Sequence, residues 1–215
     1  MAPLLAAGRL DQAREFLAGL PLTKALGLVQ SLVSSPEPAL KWPAVDLVGE
    51  LAAQAAAGDP DAGRGVACRL VWSLNEEAGA AALGAPEALG ALLAAAPALA
   101  PEFVNLLISY VWPEGNFLEF PPLLAGAVWG LGRLAQVDPG LVRCRGAAPH
   151  LAELLSFPEP AVRGHAAWAL GLVDPGAARE ALAGLADDPG RLTLYRDGRL
   201  EQLTVGSLAR QALAA

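Results

Sequence analysis

From Pro160 to Val173 the chain reads Pro-Ala-Val-Arg-Gly-His-Ala-Ala-Trp-Ala-Leu-Gly-Leu-Val. Val162, Ala166, Ala169, Leu170 and Val173 recur there at helical spacing, which predicts one buried apolar stripe. Ala166, Ala169 and Gly171 are small enough to let a neighbouring helix come close. Two further helices are expected in an irregular stretch at about 75–120, one starting near Pro86 and one over Phe103–Trp112. The pattern changes towards the C-terminus. Leu192-Thr-Leu-Tyr-Arg-Asp-Gly-Arg-Leu-Glu-Gln-Leu-Thr-Val205 places Asp197-Gly198 between two short β-like arms. Asp-Gly supplies the positive φ angles of a two-residue hairpin turn, so one hairpin is expected at about 191–205. It is expected to cap the helices, with strand docking by a partner the lesser option. A last helix follows at about 207–214.

The helical pattern repeats. Ser34–Gly49 and Ser156–Gly171 share seven identical positions: Ser34/Ser156, Pro36/Pro158, Glu37/Glu159, Pro38/Pro160, Ala39/Ala161, Ala44/Ala166 and Gly49/Gly171. A third copy places Arg64, Gly65 and Ala67 in register with Arg163, Gly164 and Ala166. In a fourth, Trp129-Gly-Leu-Gly132 matches Trp168-Ala-Leu-Gly171. A helix pair of this kind cannot bury its own apolar face, so the copies must stack.

Start signals agree with this division. Ser34 with Glu37, and Ser156 with Glu159, have capping-box spacing. Asp59-Pro60, Asp138-Pro139 and Asp174-Pro175 are expected to open helices, with Asp as N-cap and Pro at the first helical position. Asp188-Pro189-Gly190 reads as a turn.

The segment 158–171 resembles the HEAT-like repeat of the bilin (PBS) lyase type: Asp-Pro, hydrophobic-Arg, then Ala-x-x-Ala-Leu-Gly. The resemblance spans 156–186 and 34–53, and partly 59–74 and 120–137, where Leu124 replaces the basic residue. Asn75-Glu-Glu-Ala-Gly79, Ala85–Gly90, Leu118-Glu119 and Trp129–Arg133 are also similar to an uncharacterised bacterial HEAT-like family. That family has an acidic, Gly-rich stretch after the position of Asn75, here eroded to Ala80–Ala82, and it implies no activity. The expected fold is all-α: a right-handed α-solenoid of HEAT-like helix pairs forming a single domain over 1–215, with one short C-terminal β-hairpin.

Composition supports helices over sheet. Of 215 residues, 46 are Ala and 40 are Leu, against 14 Val, 1 Ile and 3 Thr, and strands favour the β-branched types. A hydrophobic share of 54% with 17% charged residues excludes intrinsic disorder. The net charge of -7, with scattered basic residues, disfavours a phosphate-backbone binder. The longest uncharged run, Ala88–Ala100, contains Pro97 and is too short for a membrane span. No basic leader precedes an apolar segment at the start. Cys68 and Cys144 form no Cys-x-x-Cys and are expected to be buried small hydrophobes in a reducing compartment. A cytoplasmic protein without a cofactor is the expectation.

Candidate chemistry is sparse. No His-Glu-x-x-His, phosphate-binding Gly loop, nucleophile elbow or metal spacing occurs. His165 and Trp168 share a helix face. Trp129, Asp46 and Arg69 occupy the Trp168 position in the other copies, so stacked copies would align these five residues along a groove. Packing of each Trp against a neighbouring repeat is the more ordinary alternative. The loop Trp112-Pro-Glu-Gly-Asn-Phe-Leu-Glu-Phe-Pro-Pro122 is aromatic and acidic, and adds Trp112, Glu114 and Asn116 as candidates. Its more ordinary reading has Phe117 and Phe120 plugging the core. Asn75, Glu76 and Glu77 form a candidate acidic cluster, and Lys41, Arg64 and Arg163 are expected to make structural contacts between repeats. The leading expectation is a non-catalytic scaffold for a protein or peptide partner. The alternatives are a DNA-alkylation-repair-type glycosylase, which needs Trp and Asp (Trp129, Trp168, Asp46) on a basic concave face, and a tetrapyrrole or protein maturation factor of bilin-lyase type.

Overall fold

All four sequence copies form helices, and each helix begins at a proline. These are α4 (Pro38–Gly58), α5 (Pro60–Asn75), α8 (Pro121–Ala135) and α11 (Pro160–Val173). Proline lacks the N–H that would be orphaned at the first helical position, and it forces the preceding residue into extended geometry. Glu37 (φ -84, ψ 113), Phe120 (φ -79, ψ 113) and Glu159 (φ -78, ψ 125) show that geometry.

This overturns the expected capping boxes. Glu37 and Glu159 are themselves the N-caps, so neither can reach back from the third helical position. Ser35 Oγ instead accepts from the Glu37 N–H (3.2 Å), and Ser156 Oγ donates to the Glu153 carbonyl (3.0 Å). A reciprocal box does occur at Thr204/Ser207, where it opens the last helix at Val205 rather than Ser207.

The Asp-Pro pairs act as expected. Asp138 accepts from the Leu141 N–H (2.8 Å) at the start of α9 (Pro139–Cys144). Asp174 accepts from the Ala177 N–H (3.2 Å) at a 3-10 helix, Pro175–Ala178. Asp188 turns the chain before the hairpin, accepting from the Gly190 N–H at 2.7 Å.

The structure, a computed structural model, describes residues 1–75 and 82–215. Two compact units divide it, Met1–Ala100 and Pro101–Ala215. In the first, α1 (Ala2–Ala6), α2 (Leu10–Ala18), α3 (Leu22–Val33), α4 and α5 are followed by α6 (Ala85–Ala95). In the second, α7 (Ala100–Ser109), α8, α9, α10 (Ala147–Glu153), α11 and α12 (Arg179–Gly184) precede β1 (Arg191–Arg196), β2 (Arg199–Thr204) and α13 (Val205–Ala214).

The repeated glycine has a spatial cause. A Cβ on Gly49 would sit 2.8 Å from the Ala91 carbonyl oxygen, one on Gly132 2.3 Å from Trp168 Cζ3, and one on Gly171 3.0 Å from Ala212 Cα. These are the tight crossings of α4 with α6, α8 with α11, and α11 with α13. The same register position in the third copy holds Trp72, which is 66% exposed.

In the second unit α11 lies between α8 and α13, and its burial extends well beyond one stripe to Gly164, His165, Ala167 and Trp168. The hairpin pairs antiparallel from Arg191↔Thr204 to Arg196↔Arg199. Asp197 (φ 52) and Gly198 (φ 75) are both left-handed, the pair of angles a type I′ turn requires. Leu192 packs over Gly164, where a Cβ would meet its Cδ1 at 2.5 Å.

Candidate functional site

Three of the aligned candidates are core residues, not surface ones. Trp129 is fully buried, and its Nε1–H donates to the Tyr195 carbonyl at 2.7 Å. His165 is 5% exposed, and its Nδ1–H donates to the Ala125 carbonyl at 3.1 Å. Trp168 packs its ring over Gly132, is only 7% exposed, and lines a pocket of about 160 Å³ with Arg196 and Gln211. The groove reading fails because α11, which carries His165 and Trp168, is packed on more than one side, and because Trp129 of α8 is buried and bonded to the hairpin. A large aromatic on such a helix has no face left for solvent. Asp46 and Arg69 belong to the other unit. Asp46 is half-buried, whereas Arg69 is exposed beside a pocket of about 190 Å³ that Gln30, Ser34 and Ser73 also line.

The basic repeat position is structural in two copies. Lys41 Nζ meets Glu87 Oε1 at 2.6 Å, joining α4 to α6. Arg163 binds Asp188 at 2.9 Å and donates to the carbonyls of Phe157 and Pro158, both at 2.6 Å. Arg64 pairs with Asp61 on its own helix at 2.7 Å. Both cysteines are free and exposed, against the expected burial. Cys68 falls on the solvent side of α5 and Cys144 at the C-terminal end of the short α9, so neither helix turns it inward. In the acidic cluster, Asn75 is exposed at the end of α5, and Glu76 and Glu77 lie outside the described residues. Among the described residues no three His, Cys, Asp or Glu gather closely enough to hold a metal ion.

The loop between α7 and α8 keeps Trp112 and Phe120 at the surface, with Phe117 half-buried. Trp112 is 40% and Phe120 47% exposed, with Glu114, Asn116 and Glu119 also exposed. Phe120 therefore does not plug the core; as the N-cap of α8 it stands at the helix entrance, and Leu118 turns inward instead. The loop is firmly held. The Gly115 N–H donates to the Trp112 carbonyl (2.9 Å), Asn116 Nδ2 to Ser109 Oγ (3.0 Å), and the Leu118 N–H to the Tyr110 carbonyl (3.1 Å). His150 of α10 stacks on Trp112, with ring centroids 5.2 Å apart and planes inclined by 33°. Tyr110, beneath the loop, is 1% exposed; its hydroxyl has no partner among the described residues, and burial pushes its pKa up to about 12.

Sequence reasoning missed two of these features. His150 shows no sequence relation to Trp112, so their stacking had no signal. Trp72 did have one, since it stands where the other copies have glycine.

Residues 121–173, α8 to α11, match the HEAT-like repeat family. The match covers 53 of the 215 residues, and this stretch is a HEAT-like helical repeat. The fold of the chain is all-α with a C-terminal hairpin, and two solved structures are similar to it in fold. A designed armadillo repeat protein is similar over 100% of this chain and 99% of its own, at 16% identity and a TM-score of 0.56. A crystallised engineered protein is similar over 97% of this chain and 90% of its own, at 17% identity and a TM-score of 0.55. Among the curated proteins none matches this chain. Among its described residues no helix is long and apolar enough to cross a membrane.

Proposed function

We propose that this HEAT-like chain is a scaffold that binds a protein or peptide partner, a role of binding and not of catalysis. The observation that supports this most is the held loop that keeps Trp112 and Phe120 in water. Exposing large aromatics forgoes the stabilisation of burying them, and ordered exposed aromatics mark interaction surfaces. Trp72, on a helix position that is packed in three other repeats, adds a second exposed anchor. The glycosylase alternative gains nothing here, since its two tryptophans are buried. The tetrapyrrole alternative rests on the repeat resemblance alone.

Pulldown with the purified chain tests the reading. A reproducible partner is expected, lost in a Trp72→Ala, Trp112→Ala, Phe120→Ala variant that keeps the native helical content. Equal capture by that variant, or no partner at all, would count against it.

A further inference from the structure

We infer that the exposed loop carrying Trp112, Glu114 and Glu119 docks a basic peptide segment, with a lysine or arginine side chain laid on the Trp112 indole. The inference rests on the binding role above and names the chemistry of the partner.

Charge complementarity selects the occupant. From Tyr110 to Pro122 the chain carries two carboxylates and no Lys or Arg. Glu114 and Glu119 are exposed, and neither has an ion pair or hydrogen bond among the described residues. An indole face carries the negative part of the ring quadrupole and attracts cations. The whole chain adds a net charge of -7, which speeds the approach of a cationic segment and slows that of an acidic one.

The ring is also held ready. His150 supports Trp112 while leaving 40% of the residue in solvent. Gly115 closes the turn so tightly that a Cβ there would lie 2.7 Å from the Ser109 carbonyl oxygen. A preordered aromatic loses little conformational freedom on binding, which favours its use as an anchor. Phe120, 47% exposed on the same loop, offers apolar surface for the aliphatic stem of Lys or Arg.

The test uses the full chain and fluorescent peptides of equal length and aliphatic content, carrying Lys/Arg, Glu, or only Ser/Gln at the variable positions. Anisotropy titrations are expected to rank the basic peptide tightest, with affinity falling as salt rises. Trp112→Ala is expected to weaken it by about tenfold, in the range of one desolvated cation–π contact. Glu114→Gln/Glu119→Gln, surface changes that leave the loop's hydrogen bonds intact, are expected to weaken it several-fold and to flatten the salt dependence. Phe16→Ala, a change at an exposed aromatic of α2 to which no binding role is assigned, should leave it unchanged. If neutral or acidic peptides bind equally well, or the loop variants bind basic peptide as the parent does, the inference fails while the scaffold role stands. If no peptide of any charge binds, the inference fails, and the pulldown alone decides the scaffold role.

Discussion

Trp129 and Tyr195 join the first helix of the matched repeat to the C-terminal hairpin: the indole N–H donates to the Tyr195 carbonyl at 2.7 Å, and the ring centroids lie 6.3 Å apart. The two residues are 66 positions apart and both buried. A two-stranded hairpin is marginal alone in water, so this one depends on its packing against α8, α11 and α13. Trp129→Phe removes the donor and strands a buried carbonyl, which costs about 1–3 kcal/mol. Urea denaturation should show that loss, and amide exchange of β1 should quicken more than that of α4. Unchanged exchange in β1 would show that the hydrogen bond does not hold the hairpin.

Gly132 and Trp168 make a second dependent pair. A Cβ on Gly132 would lie 2.3 Å from Cζ3 and 2.6 Å from Cε3 of the indole, so the ring must move. Gly132→Ala is expected to destabilise by about 1–3 kcal/mol, the range for overpacking a filled core. Trp168→Leu in the same chain should make the added methyl less costly than it is alone. Simple additivity of the two changes in a double-mutant cycle would argue that the ring is not the obstacle.

Lys41 and Glu87 carry opposite charges in a largely dry site. Glu87 is 3% exposed, and its Oε2 has no partner among the described residues. Lys41→Met leaves the carboxylate without its cation, and breaking such a pair costs about 3–5 kcal/mol. Lys41→Met/Glu87→Leu removes both charges and should recover most of the loss. A double variant no more stable than Lys41→Met in denaturant titration would show that charge stranding is not the cause.

The sequence carried the helical class, the hairpin and the repeat register because each rests on local chemistry. Asp197-Gly198 announces its own turn. Pro at 38, 60, 121 and 160 starts a helix whatever surrounds it. Lys41 and Arg163 could be recognised as structural because their position recurs. Burial was less legible, because it depends on how many neighbours a helix receives. One apolar stripe was readable on α11, whereas the covering of His165 and Trp168 depends on α8 and α13 packing from two sides. The two cysteines failed for the same reason in reverse, as their helices leave those faces open. In the loop, composition identified an aromatic and acidic segment. Phe120, as the N-cap of α8, stays at the surface, and Leu118, the least conspicuous residue there, became the plug. The stacking of His150 on Trp112 pairs residues 38 positions apart with no pattern to connect them.

Exposed thiols give a direct check on the helix faces. With Cys68 and Cys144 both exposed, two equivalents of a thiol reagent should react with the native protein without denaturant. One equivalent, or none before unfolding, would contradict the orientation of α5 or α9.

Tyr110 makes stability depend on alkaline pH. Burial disfavours the phenolate, so the folded-state pKa is about 12 against an ordinary value of 10.0. The folded chain therefore holds this proton more tightly than the unfolded one. The contribution is fully present below pH 10 and is lost as pH rises from 10 through 12. A shift of this size corresponds to at most about 3 kcal/mol. Tyr110→Phe removes both the titration and a buried hydroxyl without a partner, so it should be neutral or stabilising at pH 7 and clearly more stable than the parent at pH 11.5. Denaturant midpoints across this range, together with the ultraviolet absorbance of tyrosinate, measure the two effects separately. If parent and variant lose stability in parallel from pH 9 to pH 12, Tyr110 is not the group responsible, and the phenol beneath the loop must reach solvent more readily than its 1% exposure implies.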